Sequence, residues 1–326
     1  MLKFGIIGAG NIAKKFLFTL NELNITPYAI ASRDLNKAYR YQKQYGIKKA
    51  YGNYQDLVSD KDIDAIYIAT PHSLHFEHIK MALTNHKHVI CEKPLTINAK
   101  EAAIVFKMAE NNNLVLLEAL KTRFLPSLKA LKLLLKDNVI GTITRVDASF
   151  STTEKANRLY ENQLGGGSLL DIGVYPLHFV DYLFDDLTYQ TSTVTITNQV
   201  DVEETLYLTS GKVNITIDIS MVTPLKKDAY IYGTKGMIFI PHYSSAQDIF
   251  VYNQNNKLIK TLSNPHKVNG FEYQIESFMH TVHSNNKVNK YMPKKTSIKI
   301  IKLMDLIRKD WNLMYSNDIL IDKYYT

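Results

Sequence analysis

The run KFGIIGAGNIA, residues 3–13, constrains this chain more than any other stretch. Phe4 to Ile7 is apolar and reads as a short buried strand. Gly8, Gly10 and Ala13 then match G-x-G-x-x-A, the strand-to-helix turn of a dinucleotide-binding unit. Each small residue meets a different demand. Gly8 permits the tight turn, Gly10 lets the backbone approach a pyrophosphate, and Ala13 lets the helix sit close to the strand. The phosphates would lie over the free N–H groups of the helix that begins near Gly10, with Asn11 and Ile12 in its first turn. Without a strand before it and an amphipathic helix after it, the motif would be only a tight turn. Ile12, Phe16, Leu17 and Leu20 supply that helix's apolar face.

At 326 residues the chain exceeds one ordinary core, and two domains are expected, 1–121 and 122–326. No apolar stretch approaches the roughly 20 residues of a membrane span. The opening residues carry no small-residue cleavage site and run straight into the turn, so they read as a strand and not a signal peptide. A single cysteine, Cys91, excludes an intrachain disulfide and agrees with a reducing, cytoplasmic location. The net charge is +8, but the lysines are scattered and no nucleic-acid-binding spacing appears. A phosphate-rich cofactor accounts for such a balance equally well.

The second strand, Tyr28 to Ala31, leads into Ser32-Arg33-Asp34. An NAD site places an acid here for the ribose 2′-hydroxyl, whereas arginine can pair with a 2′-phosphate and stack on adenine. Ser32 and Arg33 therefore favour NADP. Asp34 leaves an alternative open: it is either the missing acid, displaced by a residue or two, or a first-turn residue of the next helix. That helix spans Leu35 to Tyr45 and ends at Gly46, a C-cap. The apolar strand Asp64 to Ala69 ends in Thr70-Pro71-His72, at the strand edge where ligands of open α/β sheets bind. A helix follows through His75. The histidines at 72, 75, 78, 86 and 88 do not have a metal-site pattern, because His75 and His78 read as a polar helix edge with no cysteine pair nearby; no metal is expected.

The next strand, His88 to Cys91, runs into Glu92-Lys93-Pro94. The proline biases Lys93 toward extended geometry at the mouth of the cofactor site. A helix over Ala99 to Glu110 and a strand over Leu114 to Leu117 complete the first domain. From Ile143 the hydrophobic period becomes two. Gly165-Gly166-Gly167-Ser168 then approaches a helix, with Ser168 read as its N-cap and Asp171 at N3. Asp171 and Tyr175 share one face of that helix, His178 lies near the same edge, and Pro176 implies a kink. The remainder alternates through several hairpins to about residue 262, giving a large antiparallel sheet with one face open for helices or a second subunit. Helices return over Tyr273 to Val282 and Ser297 to Tyr315, the last a candidate to pack back on the first domain.

The glycine turn, Glu92-Lys93-Pro94 and the GGGSLLDIG run together resemble the Gfo/Idh/MocA oxidoreductase family over essentially the whole length. The resemblance implies an α/β chain: an N-terminal Rossmann domain, and a C-terminal α+β domain on a large open, mostly antiparallel sheet that often forms a homodimer interface. It implies hydride transfer between a nicotinamide cofactor and a sugar, polyol or related alcohol. The family lysine falls on Lys93 and the family aspartate on Asp171. Tyr175 stands where many members have histidine, which resembles the branch of dimeric dihydrodiol dehydrogenases and glucose–fructose oxidoreductases and implies a tyrosine acid/base. A trans-dihydrodiol is then a further substrate class. The expected catalytic set is Lys93, Tyr175 and Asp171. The expected cofactor set is Gly8, Gly10, Asn11, Ile12, Ser32, Arg33, Thr70, Pro71, His72, His75, Glu92 and Lys93. The alternative is an NADP-binding redox sensor or scaffold that turns nothing over.

Overall fold

Strand β1 (Phe4–Ile7) lies inside a six-stranded sheet in which every pairing is parallel. On one side of β1 are β2 (Ala29–Ala31) and β3 (Lys49–Tyr51); on the other are β4 (Ala65–Ile68), β5 (His88–Glu92) and β6 (Leu116–Ala119). The order reverses between β1 and β4, and a crevice for ligands opens at the carboxyl ends of strands flanking such a reversal. The computed structural model describes residues 2–153 and 156–324. The chain forms two compact units: residues 1–120, 267–301 and 319–326 in the first, and 121–266 with 302–318 in the second.

In the first unit, β1 and β4 are buried along their whole length, as a parallel strand covered on both faces must be. Helices α1 (Asn11–Glu22), α2 (Leu35–Tyr45), α3 (Tyr54–Ser59), α4 (His75–Thr84) and α5 (Ala99–Asn111) connect the strands. Phe16 of α1 stacks on Tyr67 of β4 with ring centroids 3.7 Å apart. Phe4 packs against Phe278 of a later helix, α8 (Phe271–His283), at 6.0 Å. Gly46 caps α2 in the left-handed conformation, φ 64°, as its position implied. The short β3 and α3 were not expected, because three and six residues are too few to establish a period.

The second unit holds an eight-stranded sheet in the order β14-β13-β12-β11-β7-β10-β9-β8. These are β7 (Ile143–Ser151), β8 (Thr188–Thr197), β9 (Val200–Ser210), β10 (Val213–Ser220), β11 (Ala229–Gly233), β12 (Gly236–Ile240), β13 (Asp248–Asn253) and β14 (Leu258–Ser263). All pairings are antiparallel except β7 with β10. Val146, Ala148, Leu206, Leu208, Ile215, Ile217, Ile231, Ile238, Ile249 and Val251 are buried on one face. Helix α6 (Pro126–Lys136) lies near β13 and β14, and α7 (Val174–Leu183) near β7. The opposite face carries half-exposed rings: Tyr230 and Tyr232 on β11, Phe239 on β12 and Phe250 on β13. Beyond the sheet come α9 (Lys294–Asp310) and α10 (Ser316–Tyr324), the latter unexpected from the sequence.

The glycine-rich approach to α7 departs from the expected capped helix. Leu169–Gly173 forms a π turn that runs directly into α7, and the Ser168 side chain makes no capping bond there. Pro176 has no N–H for the carbonyl four residues earlier, and the wider turn falls where that bond would be missing. Among the described residues, no helix is long and apolar enough to cross a membrane.

Candidate cofactor and active site

The candidate cofactor residues of the first unit cluster at the carboxyl ends of β1, β2, β4 and β5. Gly8 has φ 99°, its N–H donates to the Ala31 carbonyl at 3.1 Å, and a Cβ there would lie 2.6 Å from the Ala69 carbonyl oxygen. Only glycine fits. Gly10 is the extended N-cap of α1, and among the described residues nothing lies within 4 Å of where its Cβ would be. No acid occupies the first turn of α1. Open space, backbone N–H groups at Asn11 and Ile12 and the positive end of a twelve-residue helix therefore meet at one point, which fits a pyrophosphate. The Tyr41 hydroxyl donates to the Gly10 carbonyl at 3.2 Å and braces the turn.

After β2, Ser32 is buried and its Oγ accepts the Asp34 N–H at 3.2 Å. Asp34 is the N-cap of α2: its Oδ1 accepts the Lys37 N–H at 3.1 Å. Its carboxylate is thus engaged by its own helix, the second of the two readings the sequence left open. The Arg33 side chain is exposed. Burial raises the Tyr54 phenol, and the nearby Arg33 guanidinium pulls it back.

Thr70 and Pro71 are half-exposed, whereas His72, His75 and His78 are buried, not aligned on a polar helix edge as expected. His72 lies in the short turn before α4, and His75 and His78 lie in the first turns of α4 itself. His75 Nδ1 is 2.8 Å from the Pro94 carbonyl and its Nε2 is 3.0 Å from the Thr70 carbonyl, so it ties the loop after β4 to the loop after β5. The His72 ring sits edge-on to it at 5.7 Å. His78 Nδ1 meets the Thr70 hydroxyl at 3.0 Å. Burial, assisted by His75 and Arg33, lowers His78 to about 4 and keeps it neutral. Among the described residues, no group of three histidines, cysteines, aspartates or glutamates could hold a metal ion.

Glu92 ends β5 buried, accepting the Tyr67 hydroxyl at 2.5 Å. Lys93 follows half-exposed, and the Lys93–Pro94 peptide is cis. The Leu95 N–H donates to Glu118 at 3.0 Å, fixing the far side of the tripeptide.

In the second unit, Asp171 sits in the π turn, 8% exposed, with its N–H donating to the Gly167 carbonyl at 3.0 Å. The Arg158 guanidinium is 3.7 Å from its carboxylate. Tyr175, in the first turn of α7, stacks on Phe150 at 5.0 Å with its planes 9° apart. His178 is fully buried, and burial, reinforced by Arg123, holds it well below its usual range. It offers no surface to a substrate. Arg123 donates to the His178 carbonyl at 3.2 Å and pairs with Asp181 at 2.8 Å. The sequence reading missed Arg158 and the bridging geometry of His75. Arg158 lies in a short irregular turn without pattern, and only the fold shows which carbonyls His75 meets.

A family model described as an oxidoreductase family with an NAD-binding Rossmann fold matches residues 2–119, and the C-terminal domain of the same family matches 128–239. The trans-1,2-dihydrobenzene-1,2-diol dehydrogenase of Xenopus laevis is 31% identical over 96% of this chain and 99% of its own. The scyllo-inositol 2-dehydrogenase (NADP(+)) of Bacillus subtilis is 28% identical over 98% of this chain and 99% of its own. Among solved structures, the 3-ketoreductase KijD10 of Actinomadura kijaniata, crystallised with NADP and TDP-benzene, superposes with a TM-score of 0.87 at 27% identity, covering 94% of this chain and 97% of that one. Its solved forms include a tyrosine-to-phenylalanine variant and lysine variants. Both domain models of one family match this chain in order, a full-length relative is 31% identical to it, and the chain belongs to the Gfo/Idh/MocA family of oxidoreductases.

Proposed function

We propose that the chain is an NADP-dependent dehydrogenase or reductase acting on a CH–OH group of a trans-dihydrodiol, polyol or sugar. The observation that carries the cofactor choice is the end of β2. Arg33 is exposed there, Ser32 is small and buried, and the adjacent acid, Asp34, caps α2. A guanidinium at this point suits a 2′-phosphate. The NADP(+) in the name of the inositol dehydrogenase and the NADP bound to the ketoreductase support the same choice.

When bound, the nicotinamide supplies or accepts hydride. In reduction, negative charge grows on the substrate oxygen, and Lys93 stabilises it through a charge-assisted hydrogen bond. Tyr175 donates the proton, or accepts it in oxidation. Asp171, paired with Arg158, orients Lys93 or a substrate hydroxyl. The domain roles follow as part of the same reading, with the expected boundary at 121/122 modified because 267–301 and 319–326 belong to the first unit: the first unit binds cofactor, and the second binds substrate and dimerises. The ring ladder on the open sheet face supports a homodimer: Tyr230 lies 4.8 Å from Phe239, and Phe239 lies 6.0 Å from Phe250. The free, buried Cys91 suits a reducing, cytoplasmic setting.

The test is titration with NADPH and NADH, repeated on Arg33→Ala. NADPH is expected to bind at least about tenfold tighter, a difference of ~1.4 kcal/mol, with the gap closing in the variant. Equal or tighter NADH binding by the unaltered protein sinks the assignment. Cofactor binding without turnover across dihydrodiols, inositols and sugars selects the sensor reading instead.

A further inference from the structure

Beneath the π turn lies a cluster of acids that the reaction does not use. Ser168, Asp201 and Glu204 are all buried, the last two on β9. Ser168 Oγ lies 2.5 Å from Glu204 Oε2 and 3.1 Å from Asp201 Oδ2. A hydroxyl has one proton and can donate only once. One of the two carboxyl groups must therefore carry a proton and donate to the serine.

The surroundings decide which. Asp201 Oδ2 accepts the Leu169 N–H at 2.6 Å. Among the described residues, Glu204 bonds Ser168 through Oε2, and its second oxygen, Oε1, is buried with no hydrogen-bond partner. A buried carboxylate with one bare oxygen is far costlier than a neutral acid with an unpaired carbonyl. The remaining neighbours do not change this. Glu203 on the same strand adds negative charge. From the chain after the sheet, the Tyr315 hydroxyl donates to the Gly166 carbonyl at 2.6 Å and lies 3.4 Å from Asp201 Oδ1. The Arg308 guanidinium acts on Asp201 but is itself paired with Asp305 and Asp318, each at 2.7 Å. Burial, then Asp201, pushes the Glu204 carboxyl well above its usual range.

We propose that Glu204 is a protonated acid donating to Ser168, and that Ser168 and Asp201 pass this hold to the Leu169 N–H, fixing the π turn that presents Asp171 and Tyr175. Gly167 is built around the same cluster: its φ is 124°, and a Cβ there would collide with Asp201 Oδ1 and the Tyr315 hydroxyl. These are positioning residues, and their effect on turnover rests on the proton-transfer role assigned above to Tyr175. Their arrangement does not.

The experiment therefore has one arm independent of activity. In infrared difference spectra of wild type against Glu204→Gln at pH 7 to 8, a protonated-carboxyl C=O band is expected to be lost in the variant. Only carboxylate bands changing overturns the protonation. Amide hydrogen exchange over residues 168–176 should stay slow in Glu204→Gln, which keeps a donor, and quicken in Ser168→Ala and Glu204→Ala. Equal protection in all four proteins overturns the positioning. In the activity arm, Ser168→Ala lowers kcat at least about tenfold with KM for NADPH within about twofold, and Glu204→Gln keeps kcat within about threefold. Unchanged kcat in Ser168→Ala, with Tyr175→Phe inactive, removes the catalytic consequence. If Tyr175→Phe is also fully active, the mechanistic reading has failed while the spectroscopic arm still stands or falls by itself.

Discussion

Tyr175 and Gly8 show how much rests on single groups. Removing the phenol oxygen in Tyr175→Phe keeps the ring stacked on Phe150. The expected result is a kcat lowered by about 100-fold or more with NADPH binding retained; near-full activity shows that the proton comes from elsewhere. Adding one methyl at Gly8 forces a side chain into φ 99° and against the Ala69 carbonyl. Denaturant unfolding of Gly8→Ala should show a loss of more than about 1 kcal/mol, together with weakened NADPH binding. The tight turn at Gly8 could be read from the sequence because it belongs to a short local motif. His75 could not be read correctly. A helix period gives the face of a residue but not the loop carbonyls that arrive from distant strands, and so a buried tie looked like a polar edge.

At the scale of elements, the loop from β2 into α2 separates two jobs that the sequence left entangled. Asp34 holds α2, and Arg33 faces outward. Asp34→Ala should lower stability by about 1 kcal/mol, measurable in thermal or denaturant melts, while leaving the preference for NADPH intact. A variant that instead binds NADPH and NADH alike would assign Asp34 to the cofactor. The approach to α7 teaches the reverse lesson. Ser168 followed by Asp171 has the spacing of a capping box, and spacing alone cannot show that the serine turns away to meet Asp201 and Glu204 on β9, more than thirty residues on. The strands of the second sheet were legible because alternation survives wherever one face is buried.

For the whole molecule, acid is the sensitive direction. Burial, then neighbouring charges, lowers both His78 and His88 to about 4. A lowered base leaves the unfolded chain holding more protons between its free value of about 6.5 and the folded value. The stability they contribute is complete above about pH 6.5 and is lost as pH falls toward 4. The melting temperature should drop by several degrees over that interval, and His88→Gln should flatten the slope; an unchanged melting temperature down to pH 4.5 contradicts it. Phe239→Asp, on the ring ladder, should convert the proposed homodimer to monomer in light scattering, with NADPH affinity within about threefold. A dimer that persists in that variant moves the interface off this face.

The first unit is stitched from three separate stretches of chain, the last beginning at Ile319. Phe4 packs on Phe278, some 270 residues later in the chain, and Thr19 bonds Asn269 at 3.1 Å. During synthesis the nucleotide-binding half must therefore wait, with part of its apolar surface uncovered, while the entire eight-stranded sheet is translated. Residues 1–120 expressed alone would keep that surface bare and would need a chaperone, or the missing stretches supplied in trans, to stay in solution.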